Sequence, residues 1–188
     1  MKSTTIKSYF LILTFFGILV SAHAQKSYVL DTKANFSVLG TSTLHDWEMK
    51  SNTGTGTASL TVSDSKLVAI NFLTVSLLSE SIKSGKTTMD KIAYETLKNN
   101  KFKTIKYVLK SADKLNESTW NFVGTYTIAG VSKDFKTQVK VSIINELVTL
   151  QGSNKITFEE FSMTAPTALF GTIKTGKDLT IKFNINFK

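Results

Sequence analysis

The 188-residue chain contains no cysteine, which excludes disulfide staples and cysteine-based metal sites. It contains no arginine either: all 23 basic residues are lysine. Arginine is the usual base-reading and phosphate-forking side chain, so nucleic acid is not an expected partner. Histidine is scarce as well. Beyond His23, His45 stands alone, and a single imidazole cannot build a histidine metal cluster. No internal repeat and no low-complexity segment appears. Nothing in this inventory calls for a cofactor.

What is present begins with the N-terminus. Lys2 and Lys7 precede an almost wholly apolar run from Tyr9 to Val20, and Ala22, His23 and Ala24 follow as a small-x-small cleavage pattern. This reads as a secretory signal peptide over residues 1–24, with a mature domain over 25–188. The apolar run is too short to span a bilayer. No cysteine stands at the cut, so a lipid-modified N-terminus is not expected. The expected location is outside the cytoplasm, in the periplasm, as a soluble protein after cleavage. A single domain of this length can hold a core without disulfides. Removing Lys2 and Lys7 leaves 21 lysines against 14 acids, a formal charge of +7. The lysines alternate with apolar residues and form no run, as a solvated surface requires. The surplus also admits a transient contact with an anionic membrane surface or headgroup. No feature of the sequence specifies an oligomeric state.

The clearest local pattern runs from Trp120 to Ile143. Trp120, Phe122, Gly124, Tyr126 and Ile128 alternate with polar residues and Val123; after a turn at 129–133, Phe135, Thr137, Val139, Val141 and Ile143 do the same. Period-two alternation predicts a long hairpin with one apolar face, and Gly130 can supply the positive φ of its turn. Further strands are expected at Tyr28–Thr32, Ala34–Leu39, Gly56–Val62, Lys66–Leu78, Ile105–Lys110, Leu147–Leu150 and Asn154–Phe158 around Gly152, and Leu179–Phe187. One helix is expected over Thr88–Lys98, where Met89, Ile92, Ala93 and Leu97 share a face; Thr87 or Thr88 can cap it. The fold class is therefore all-β with one inserted helix. A closed antiparallel barrel of about eight strands is preferred over an immunoglobulin-like sandwich, because several strands carry no edge protection.

The order of these motifs resembles the YceI-like family. The run from Phe122 to Lys133 is similar to that family's G-x-L-x-(I/L)-x-G-x-(T/S)-K hairpin. Met89, Asp90, Leu97, Asn100, Phe102 and Ile105–Val108 follow the segment upstream of it, although Lys103 and Thr104 replace a tyrosine-proline pair. Phe158, Phe161, Ser162 and Met163, then Pro166, Phe170, Gly171, Ile173 and the closing strand, match its end. The resemblance implies an extended, lipocalin-like barrel. It also implies an apolar tunnel for a polyisoprenoid or fatty-acyl chain, export, and no catalytic motif. Met89 stands where the family often has arginine.

Taken by themselves, the residues expected to point inward are Phe36, Val38, Ile70, Phe72, Ile105, Tyr107, Leu109, Trp120, Phe122, Gly124, Tyr126, Phe135, Val139, Phe158, Ile181 and Phe183. They either fill the barrel as an ordinary core or line a ligand tunnel. Gly56, Ala58, Gly124, Thr74 and Ser76 leave room along that face, and the resemblance favours the tunnel. The reading is an exported, non-enzymatic carrier or sequestrant of a long-chain amphiphile. The rival is a solid-barrel structural or interaction protein acting through its lysine-rich exterior. His45 and Asp46 are adjacent and, on a strand, would face opposite ways, which does not suit a catalytic pair. They fit turn or mouth hydrogen bonds, with Leu44 and Trp47 buried beside them. Glu159 and Glu160 are adjacent in the same way. The segment 162–176 is either a lid or a loop packed on the barrel end.

Overall fold

The computed structural model describes residues 26–188, so the expected signal peptide lies outside the described residues. Eleven strands follow in order: β1 Lys26–Val29, β2 Asn35–Ser42, β3 Trp47–Ser51, β4 Thr55–Ser63, β5 Lys66–Leu78, β6 Thr104–Asn116, β7 Thr119–Ile128, β8 Val131–Ile144, β9 Leu147–Thr157, β10 Thr167–Ala168 and β11 Ile173–Phe187. One helix, α1 (Thr87–Thr96), is inserted between β5 and β6. The sheet order is β1-β4-β5-β6-β7-β8-β9-β11-β2-β3, all antiparallel, with β10 paired to β11. The break between the first two strands lies where it is expected, and the strand count exceeds eight because the two short strands β3 and β10 border the mouth.

Three hairpins close with two-residue turns at Asp64–Ser65, Ala129–Gly130 and Asn145–Glu146. Both residues of each turn have positive φ. That geometry matches the right-handed strand twist and keeps long strands in register. The curled sheet closes only at the end where β1 meets the last residues of β11. There Leu30 bridges to Phe187, and the Val29 N–H donates to the Lys188 carbonyl at 2.8 Å. At the opposite end β3 has no strand beyond it. Its Lys50 instead exchanges backbone hydrogen bonds with Lys83 (2.8 and 2.7 Å), which ties the sheet edge to the segment leading into α1.

The interior divides in two along the barrel axis. In the closed half, Leu60, Val139, Val148 and Phe187 are fully buried, and Tyr28, Trp120 and Phe122 pack around them as a continuous core. In the other half a second cluster, with Tyr126, Ile128, Phe158, Phe161, Met163 and Leu179, coats the wall instead of filling the centre. Four rings join the halves: Tyr107 to Tyr126 (centroids 4.9 Å apart), Tyr126 to Phe135 (5.7 Å) and Phe135 to Phe161 (5.9 Å). Such offset and edge contacts suit aromatic quadrupoles.

Phe72 is 46% exposed rather than inward. The β4–β5 register skips between Ser59/Leu60 and again between Thr61/Val62, so β5 carries two bulges. A bulge reverses the alternation, which turns Leu67, Leu73 and Val75 in and Phe72 out. The same shift puts Thr74 and Ser76 on the outer face, where their hydroxyls donate to the Tyr107 and Ile105 carbonyls. The helix start also differs. Lys86 occupies the cap position with no side-chain bond, and Asp90 does the work from inside the first turn. Its Oδ1 accepts from the Ser84 N–H and the Ser84 hydroxyl, both at 2.7 Å.

Candidate functional site

The hollow half encloses a cavity of about 510 Å³. One wall is the apolar face of α1, with Met89, Ile92, Ala93 and Leu97. The opposite wall comes from Val38 on β2, Trp47 and Met49 on β3, and Leu179 and Ile181 on β11. Ile128, Ile156, Phe158 and Met163 close the side, and Ile82 fills the corner before the helix. The mouth is framed by Leu44 and His45 in the β2–β3 loop, by Lys86, and by Pro166, Ala168 and Leu169. The lining is almost wholly apolar, of a size typical for a small-molecule site.

Phe36, Leu77 and Ile105 form the cavity floor and also border a second void of about 60 Å³ lined by Tyr107, Phe122, Tyr126 and Phe183. The Tyr107 hydroxyl is buried there without a hydrogen-bond partner, and burial pushes its phenol up. Burial raises Tyr126 as well, against the opposing effect of its Asn154 and Thr137 neighbours, with which it forms a buried polar trio.

The sequence-derived site residues distribute as follows. Phe36, Val38, Ile105, Phe158 and Ile181 line the large cavity. Tyr107, Phe122, Tyr126 and Phe183 lie below its floor around the small void. Trp120 and Val139 are buried in the filled half, and Ile70 and Leu109 pack against that core. Phe135 stacks among the aromatic rings. Gly124 leaves no free space: a Cβ there would overlap the Tyr107 ring, so the glycine is what admits the tyrosine. Gly56 is likewise covered, by the Thr74 carbonyl with Leu30 and Val75 behind it.

The helix face, Trp47, Met49, Ile82 and Leu179 were absent from that set. An apolar stripe on α1 was legible, but a stripe that packs on a sheet and one that walls a cavity look alike in sequence. Leu44 is 66% exposed, not buried. The Nδ1–H of His45 donates to the Asp46 carbonyl at 2.7 Å, a local turn bond rather than a carboxylate contact. The Glu160 carboxylate accepts from the Thr157 N–H (2.6 Å) and hydroxyl (3.1 Å), and so caps the short turn at 159–161. Residues 162–172 supply Met163, Pro166, Thr167, Ala168 and Leu169 to the cavity, with their backbone tied to β11 through β10. Among the described residues, no three histidine, aspartate or glutamate side chains gather as a metal site.

A curled antiparallel barrel with one filled end, one apolar chamber and a helix across the opening defines an extended lipocalin-like fold. The chain belongs to the YceI-like family, whose domain model matches residues 27–187. Among solved structures it is similar to BcnA of Burkholderia cenocepacia, with a TM-score of 0.72 and 14% identity over 84% of this chain and 98% of that one. It is also similar to a polyisoprenoid binding domain from Saccharophagus degradans (TM-score 0.67, 12% identity, 86% and 97% covered). The YceI protein of Campylobacter jejuni aligns over 96% of this chain and 97% of its own, with a TM-score of 0.58 and 19% identity. No curated protein matches the chain significantly.

Proposed function

We propose that this protein is an exported, non-enzymatic binding protein that carries or sequesters a long-chain amphiphile, a polyisoprenoid or fatty-acyl lipid. The apolar chamber of about 510 Å³ carries this reading. It lies between α1 and the β2–β3–β11 wall, is blind at Phe36 and Ile105, and opens beside Lys86 and His45. The hydrocarbon tail enters first and stops at the floor. Each methylene it buries contributes about 0.8 kcal/mol before the costs of association. The headgroup stays at the mouth, where the Lys86 ammonium suits a phosphate or carboxylate. Such recognition is set by shape and length more than by hydrogen bonds.

Three further observations support the reading. The similar Saccharophagus domain is described as polyisoprenoid binding. The basic-apolar-small pattern of residues 1–24 is that of an exported protein. The lining is almost wholly apolar, and the imidazole at its mouth bonds its own turn.

The test is native mass spectrometry of protein expressed from the full-length sequence and purified from the exported fraction without detergent, followed by solvent extraction. The expected result is a stoichiometric adduct that extracts as an isoprenoid or acyl chain. A bare protein mass that stays unchanged after incubation with such lipids would reject the carrier.

A further inference from the structure

The mouth of the cavity carries apolar side chains that the fold does not use. Phe170 is exposed to its full extent, Leu169 is 67% exposed and Leu44 is 66% exposed. They are neighbours. Leu169 and Phe170 form the tip of the β10–β11 hairpin, whose Lys174 carbonyl accepts from the Thr43 N–H at 3.0 Å and whose Lys174 N–H donates to the Thr43 hydroxyl at 3.2 Å. The two tips therefore stand side by side on one rim. Leu44 and Leu169 also line the cavity, so an apolar path runs without interruption from the tip to the interior.

The backbone makes this choice of residues conspicuous. Leu169, Phe170 and Gly171 have φ of +49°, +57° and +87°. Glycine or asparagine is favoured in that conformation, and a bulky side chain is strained there. At 170 the fold gains nothing from phenylalanine, since its ring touches nothing, while a strained turn that displays apolar groups is characteristic of a functional surface. The helical insert that walls the chamber on the other side is basic, and its Lys86 stands at the cavity. Residues 79–103, between β5 and β6, carry Lys83, Lys86, Lys91, Lys98, Lys101 and Lys103 against Glu80, Asp90 and Glu95. None of these lysines takes part in an ion pair among the described residues.

From this juxtaposition we infer that the mouth docks on an anionic bilayer surface, with Phe170, Leu169 and Leu44 inserted among the acyl chains and the lysines of the helical insert against the headgroups. The inference rests on the lipid-carrier reading and supplies its missing step. A water-insoluble tail can pass between bilayer and chamber only where the opening is sealed against the membrane. Shallow apolar insertion combined with electrostatic attraction is the physics of a peripheral membrane contact. It needs no spanning element, and none of the described helices is long and apolar enough to provide one.

The experiment is cosedimentation of the full chain, after export, with vesicles of phosphatidylcholine alone and with about one part in three phosphatidylglycerol. Native mass spectrometry is run on the same preparations. Wild type should partition on the anionic vesicles and several-fold less on the neutral ones. Phe170→Ser should lower partitioning by about tenfold while its circular dichroism and its lipid adduct stay unchanged. Phe170→Trp should restore partitioning and show a blue-shifted emission on docking. Lys101→Glu with Lys103→Glu should remove the preference for anionic vesicles. No partitioning of wild type, or equal partitioning of Phe170→Ser, would overturn the inference. An adduct without vesicle binding would reject docking and leave the carrier intact. Vesicle binding through Phe170 without any adduct would keep the docking surface and reject the cargo.

Discussion

Two single substitutions on facing elements should separate ligand binding from stability. Ala93 sits mid-way along α1 and faces the chamber, whereas Gly124 lies beneath the Tyr107 ring under the floor. Ala93→Trp places an indole in empty space. It gives up about 0.5 kcal/mol of helix propensity, recovers that through burial, and should shift overall stability by less than about 1 kcal/mol. The indole displaces about four methylenes of ligand, at about 0.8 kcal/mol each, a loss of about 3 kcal/mol or on the order of a hundredfold in Kd. Gly124→Ala does the reverse. The new Cβ pushes the Tyr107 ring out of its seat, an overpacking that costs about 1–3 kcal/mol, with the chamber walls left in place. The assay is thermal melting with and without lipid, combined with native mass spectrometry, because a ligand that binds only the folded state raises the melting temperature by an amount that grows with the logarithm of its free concentration over Kd. Ala93→Trp should melt like wild type, with no lipid-induced rise and no adduct. Gly124→Ala should melt lower yet keep both. A fully loaded Ala93→Trp, or a Gly124→Ala that loses its adduct with unchanged stability, would refute the division of the barrel into a hollow and a filled half.

Three further outcomes are expected. Tyr107→Phe removes a buried hydroxyl that has no partner and should stabilise the protein by about 1 kcal/mol, seen as a higher denaturation midpoint at unchanged m-value; a lower midpoint would show that the hydroxyl is satisfied. Asp90→Ala should cost about 1 kcal/mol at neutral pH through loss of the helix cap. Burial pushes the Asp90 carboxyl up, but the two Ser84 bonds and the nearby Lys83 charge outweigh this and hold it below the usual aspartate range. Its contribution is therefore complete above the unfolded pKa of about 3.9 and fades as pH falls through the lower folded value, so the gap between wild type and variant should narrow in acid. His45→Ala should leave lipid occupancy unchanged, since the imidazole bonds only its own turn; loss of occupancy would place it on the headgroup.

The strands were legible because alternation of apolar and polar residues carries their phase. That is why the β7–β8 hairpin and its turn at Gly130 lie where the pattern put them. Phase fails at bulges. Two extra residues on β5 reversed the faces of Phe72 and Leu73, and no local signal marks such an insertion. Alternation also carries no information on volume. Val139 in the filled half and Ile181 in the hollow half have the same pattern around them, and only the third dimension tells a neighbour from a void. Leu44 reads as buried because a sequence does not distinguish an apolar residue facing a core from one facing solvent, and the structure leaves it 66% exposed.

The ring is sewn shut by the final strand. From β4 through β9 each strand pairs with the next in sequence, so hairpins can zip up one after another at low entropic cost. β11 then lies between β9 and β2, and its last residues hold Val29 to Asp31. Until residue 188 is available, β9 and β2 both present bare edges with an apolar face. A chain truncated before β11 is therefore an open, adhesive sheet and not a slightly smaller barrel. Closure of this barrel therefore waits on its last strand, and the hairpins before it form a sheet with two open edges until β11 docks.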